Sequence, residues 1–166
     1  MKYRYAIIAF VLAFIIQGTL LNTIGIFHTT PNLILCLALS LAFLYEDEYG
    51  GVILGVIFGL FTDICYAQYV GIASLGYLLL CIGATLIKEI LNKENIASIL
   101  IVTAVGTFLY NVYYWAVMHL FGSSYGILFV LKQQPVAIAY NLAVVFIIYR
   151  VLIKRVVKYH YDRYYK

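Results

Sequence analysis

Polar clusters divide this chain into six apolar stretches, at about 5–24, 31–45, 50–66, 70–87, 96–120 and 135–153. A helix needs roughly 20 mostly apolar residues to cross the hydrocarbon of a bilayer, and its backbone groups must all bond within the element. The pattern predicts an all-α fold: a six-helix transmembrane bundle over 1–153, then a basic, tyrosine-rich cytoplasmic tail over 154–166. The second and third stretches are the shortest, and Glu46, Asp47 and Glu48 close the second. Pro31 is placed to open the second helix and Pro135 the sixth, since proline suits a first helical position. Residues 121–134, interrupted by Gly122, Ser123, Ser124 and Gly126, read as an irregular connection.

Lipid as the main solvent is also what the composition demands. Apolar residues make up 65% of the chain and charged residues 11%, against about 45–50% and 25% for a soluble domain. The run from Ala6 to Ile16 behind Lys2 and Arg4 has the look of a signal peptide, but no small-residue cleavage site precedes a soluble domain. It reads as an uncleaved first span. Cys36, Cys65 and Cys81 fall in or beside apolar stretches without a pairing framework and read as small buried hydrophobes.

Basic residues set the orientation. With the N-terminus in the cytoplasm, six crossings put ten of the eleven lysines and arginines inside and leave Lys132 alone outside. Six of them crowd the last seventeen positions, where Lys154, Arg155, Lys158 and Arg163 are expected to anchor the tail on anionic lipid rather than to bind nucleic acid. Tyrosines at predicted span ends, such as Tyr5, Tyr45, Tyr66 and Tyr149, suit the headgroup level.

The sharpest local pattern lies in the third stretch, where Gly51, Gly55, Gly59 and Asp63 recur every four residues and so share one helical face. Glycines at that interval admit a close helix, either of the same chain or of a partner protein. Asp63 is the acidic residue placed within an apolar stretch. It is open to three roles: a helix-end hydrogen-bond partner, a docking contact, or a proton or cation relay needing a second titratable group such as His119. Asn22, Asn32, Asn111 and Asn141 place amides at or inside span boundaries, where they are expected to fix helix rotation structurally.

Catalytic templates are missing. The chain has no HExxH, GxSxG, Walker or GxGxxG motif, and His28, His119 and His160 are too scattered for a metal cluster. No enzyme activity, metal or cofactor is expected.

The segment Thr30-Pro31-Asn32-Leu33-Ile34-Leu35, then Gly51, Gly55 and Gly59-Leu60-Phe61-Thr62-Asp63, then Gly71, resembles the rod shape-determining protein MreD family. Asn141 after Pro135 also resembles that family's last helix, and chain length and small loops fit throughout. The family usually shows Asp after the proline, so Asn32 is a departure that removes any role for charge there. The resemblance implies a non-catalytic scaffold in the bacterial cytoplasmic membrane that serves lateral cell-wall elongation. Its partner would be MreC and, indirectly, MreB and the wall-building glycosyltransferase and transpeptidase. It further implies a fold similar to the S-components of energy-coupling-factor vitamin transporters. That similarity supplies the alternative reading, a substrate-binding S-component, for which the small residues Ala6, Ala9 and Ala13 of the first stretch resemble a docking surface. The glycine–aspartate stripe is the expected contact with MreC.

Overall fold

A computed structural model describes residues 3–21, 29–44, 49–88, 90–91 and 95–164, with the side chains described in 4–19, 29–44, 49–88, 90–91 and 95–150. Six α-helices and no strand element occur among the described residues: α1 (Tyr3–Ile16), α2 (Leu33–Leu44), α3 (Gly50–Tyr66), α4 (Ile72–Ile87), α5 (Ile96–Leu120) and α6 (Ile127–Tyr164). A π-helical turn, Gln17–Leu21, continues α1. Asn22, His28, the acidic cluster 46–48 and Lys93 lie outside the described residues, as do the side chains of Lys154, Arg155, Lys158 and Arg163.

The bundle is built around α2. Leucine, alanine, isoleucine and phenylalanine surround this helix on every side, and each residue from Ile34 to Leu44 is buried. A helix apolar all round finds no solvent face and becomes a core element; α1, α3, α4, α5 and α6 all pack on it. At about 1.5 Å per residue its twelve helical residues extend about 18 Å, and helices of the same chain rather than lipid surround it. The outer helices carry the apolar outside, with Ile7, Ile8, Val11 and Leu12 of α1 and Leu75, Leu79 and Leu86 of α4 all exposed. Surfaces of that extent are foreign to a water-soluble monomer. Two helical segments, Ile96–Leu120 and Ile127–Arg150, are long and apolar enough to cross a membrane.

Three expectations are corrected. Pro31 does not open α2: the helix begins at Leu33, and Asn32 caps it by accepting from Leu35 N at 3.0 Å, as a short polar side chain does at that position. The irregular connection is confined to 121–126, because α6 starts at Ile127 and runs straight through Pro135. Ala6 and Ala13 of α1 do not form an outer docking face. They are 6% exposed, flanking the fully buried Phe10, and Ala9 packs against the same core.

Candidate functional site

Asp63 stands on the last turn of α3, and its carboxylate does the capping that α4 lacks. The residue before α4 is Gly71, which has no side chain to offer and takes φ 102 to make the turn. Asp63 Oδ2 accepts from Gly71 N at 3.0 Å and Ser74 N at 3.1 Å, and Oδ1 accepts from Ala73 N at 3.1 Å. Three otherwise orphaned helix-start donors are thereby met, at the positive end of the helix dipole. Asp63 is 1% exposed. Of its three possible roles the structure gives it the helix-end one. His119 is engaged elsewhere, with Nδ1 3.1 Å from Ser123 O and its ring stacked on Trp115.

The glycines of the stripe are filled by this chain. A Cβ on Gly51 would lie 2.5 Å from Ala42 N, one on Gly55 2.9 Å from Ala38 Cβ, and one on Gly59 2.7 Å from the Tyr77 ring and 2.9 Å from Ser74 Cα. The stripe is thus the seam on which α3 meets α2 and α4, and Ser74 Oγ closes it by donating to Val56 O at 3.1 Å. The expectation of a partner contact on this face gives way to packing within the chain. No room is left there for another helix.

The asparagines converge. Asn141 of α6 accepts from Asn32 N through Oδ1 at 2.9 Å and donates through Nδ2 to Thr107 Oγ1 of α5 at 3.0 Å. The hydroxyl of Tyr77 lies 2.9 Å from Nδ2 and 3.0 Å from Oδ1 of Asn32, accepting from the first and donating to the second. The cap of α2 and residues of α4, α5 and α6 are thus tied at one level of the bundle by hydrogen bonds between uncharged groups. Asn111 belongs to a second pair, donating to Gln134 Oε1 at 3.1 Å. Gln17 reaches Ile34 N at 3.3 Å. Pro31 immediately precedes the Asn32 cap.

Sequence reasoning missed Tyr77, Thr107 and Gln134. Tyr77 left a trace, because a tyrosine in the middle of an apolar stretch departs from the span-end placement of its fellows and asks for a buried partner.

Above this polar level the bundle opens into a cavity of about 560 Å³. Its floor is Asn32, Tyr77 and Asn141, and its walls come from the end of α3 (Thr62, Tyr66), the second half of α5 (Tyr110, Asn111, Tyr114, Trp115, Met118) and the first half of α6 (Phe129, Gln133, Ala137). All these segments lie at one end of the bundle because successive helices alternate in direction. Amides, hydroxyls and aromatic rings dominate the lining. The one carboxylate on it, Asp63, is already spent on three amides. The lining thus offers hydrogen-bonding groups and aromatic faces, and its one carboxylate is already paired.

A helical bundle that is apolar outside and hydrogen-bonded inside, with two helices long enough to cross a bilayer, belongs by class to the membrane-associated proteins. The particular family is then clear. The chain belongs to the rod shape-determining protein MreD family, whose family model matches residues 2–158. No curated protein and no solved structure matches it. The family places the protein in the determination of cell shape. The vitamin-transporter alternative finds no support in these comparisons.

Proposed function

We propose that this protein is a non-catalytic scaffold of bacterial lateral wall elongation that binds MreC and, through it, connects to MreB and to the glycosyltransferase and transpeptidase. The support is the family match over 2–158. The six apolar stretches support six crossings of the cytoplasmic membrane, and the distribution of basic residues supports both termini in the cytoplasm, which would put the cavity at the outer end. The basic tail then lies against anionic lipid.

The observation that carries the contact is the cavity itself. With the glycine stripe consumed by α2 and α4, the cavity is the concave, hydrogen-bonding surface that the bundle offers to another protein. A segment of MreC lying near the outer membrane face would enter it uncharged, pairing with amides and stacking on tyrosines. Replacing Gln133 or Met118 with Trp fills the cavity while leaving the Asn32–Tyr77–Asn141 network alone. Both variants should accumulate normally and lose co-purification of MreC. Retention of MreC at the wild-type level by both removes the cavity as the contact.

A further inference from the structure

Residues 123–134 lie between two backbone irregularities. On one side Gly122 takes φ 89, with nothing within 4 Å of the place a Cβ would occupy. On the other, Pro135 sits inside α6; without an N–H it gives no helical bond to the carbonyl of Leu131, and its ring crowds that turn. Between the two, no side chain from Ser123 to Gln133 is buried. Past the proline the pattern changes, and α6 buries Ala137, Asn141, Val145 and Tyr149 at 7, 3, 0 and 6% exposure. The second part of α6 is anchored in the bundle once per turn, while the first part is not.

This loosely held part forms one wall of the cavity, through Ser123, Tyr125, Phe129, Val130 and Gln133. Its side-chain ties to α5 are few. Trp115 Nε1 donates to Tyr125 O at 2.8 Å, His119 meets Ser123 O, and Asn111 donates to Gln134 at the pivot. Gln134 carries the second anomaly. It is 4% exposed, yet its Nε2 has no hydrogen-bond partner. A buried donor left open is a standing cost, which a rearrangement that supplies an acceptor would remove. Weak anchoring, a missing helical bond and an unsatisfied amide thus coincide at one end of one segment.

We propose that residues 123–134 are a hinged flap over the cavity, turning about Gly122 and Pro135, with Gln134 as the positioning residue whose amide finds its partner as the flap moves. The flap governs access to the cavity whichever occupant enters, so it stands or falls separately from the binding of MreC.

Trp115 is the single tryptophan of the chain and lies on the cavity wall, bonded to the flap. Its fluorescence therefore reports the flap directly. The full chain in phospholipid nanodiscs is to be followed by hydrogen exchange and by acrylamide quenching of Trp115. Amides of 127–134 should exchange faster than those of 137–149. Pro135→Ala restores the missing helical bond, and should slow exchange in 127–134 about five- to tenfold, the worth of one hydrogen bond, and reduce quenching. Gln134→Leu, which removes the open donor together with the acceptor of the Asn111 tie, should speed exchange of the same amides without affecting 137–149; a merely structural role would instead raise exchange in both. Equal exchange of the two segments in the wild type overturns the flap. So does a Pro135→Ala protein with unchanged exchange and quenching. Should Pro135→Ala not fold, the wild-type comparison and Gln134→Leu decide.

Discussion

The backbone amide of Asn32 donates to Oδ1 of Asn141 at 2.9 Å, joining residues 109 positions apart. The bond fixes the start of the central helix against α6, and the Nδ2 of the same Asn141 goes on to Thr107 of α5. A single amide at 3% exposure therefore satisfies a backbone donor and a hydroxyl from two other parts of the chain.

Asn141→Leu leaves both of those groups without their partner, and should lower stability by about 1–3 kcal/mol, the usual cost of an unsatisfied buried group. Thr107→Val should cost less, since the Asn32 bond survives. Because Asn141 and Thr107 share a bond, the double variant should lose less than the sum of the two. Thermal unfolding of the purified protein in detergent measures all three, and strict additivity would show that the bond contributes nothing.

Glycines of the bundle separate into two kinds. At Gly51 an added methyl meets backbone atoms, Ala42 N and Leu41 C, that cannot turn aside, whereas Gly83 of α4 has nothing within 4 Å. Gly51→Ala should force α3 and α2 apart and cost about 1–3 kcal/mol, as overpacking does. Gly83→Ala should stabilise by about 0.5–1 kcal/mol through helix propensity alone. Opposite shifts in unfolding temperature are the expected result; shifts of the same sign would refute the tight α2–α3 seam.

For Asp63 the geometry predicts a structural phenotype. Asp63→Asn turns one of two accepting oxygens into a donor that faces a backbone N–H, so at least one of the three bonds to Gly71, Ala73 and Ser74 is lost. Stability should fall by about 1.5–3 kcal/mol, in the range for hydrogen bonds to a charged group. Amide exchange should rise first in the opening turn of α4. If Asp63→Asn unfolds at the wild-type temperature, the carboxylate is not the cap that the distances describe.

Much of this architecture was legible in the sequence, and the reasons are specific. The all-helical class and the helices themselves follow from apolar runs broken by polar clusters, with α3 and α5 starting and ending where those runs do. The stripe of Gly51, Gly55 and Gly59 announced close packing because only one residue type recurs there without a side chain. What it packed against was not legible: spacing defines a face, and the occupant of that face depends on contacts far apart in sequence. The same limit hid the Tyr77–Asn32 pair, 45 positions apart. Pro135 misled because proline suits a helix start in isolation, while here the helix already runs from Ile127 and continues through it into the well-anchored part of α6. The central position of α2 was readable in principle, since a stretch apolar on all faces belongs inside.

Thiol accessibility tests the proposed orientation. Cys36 and Cys81 are buried as small hydrophobes, but Cys65, against that expectation, is exposed one residue before the end of α3, beside Tyr66 of the cavity wall. In detergent a maleimide should modify Cys65 rapidly and the other two only on unfolding, because a thiol at 0% exposure cannot meet a reagent without local opening. With the N-terminus in the cytoplasm, the end of α3 faces outward, so a membrane-impermeant maleimide should label Cys65 in cells whose outer face is accessible. A Cys65→Ser protein should remain unlabelled under the same conditions, which assigns the signal. Labelling that requires the cytoplasmic side to be opened would invert the orientation. It would place the cavity beside the cytosol and turn the search for its occupant from the outer face of the membrane to the MreB side.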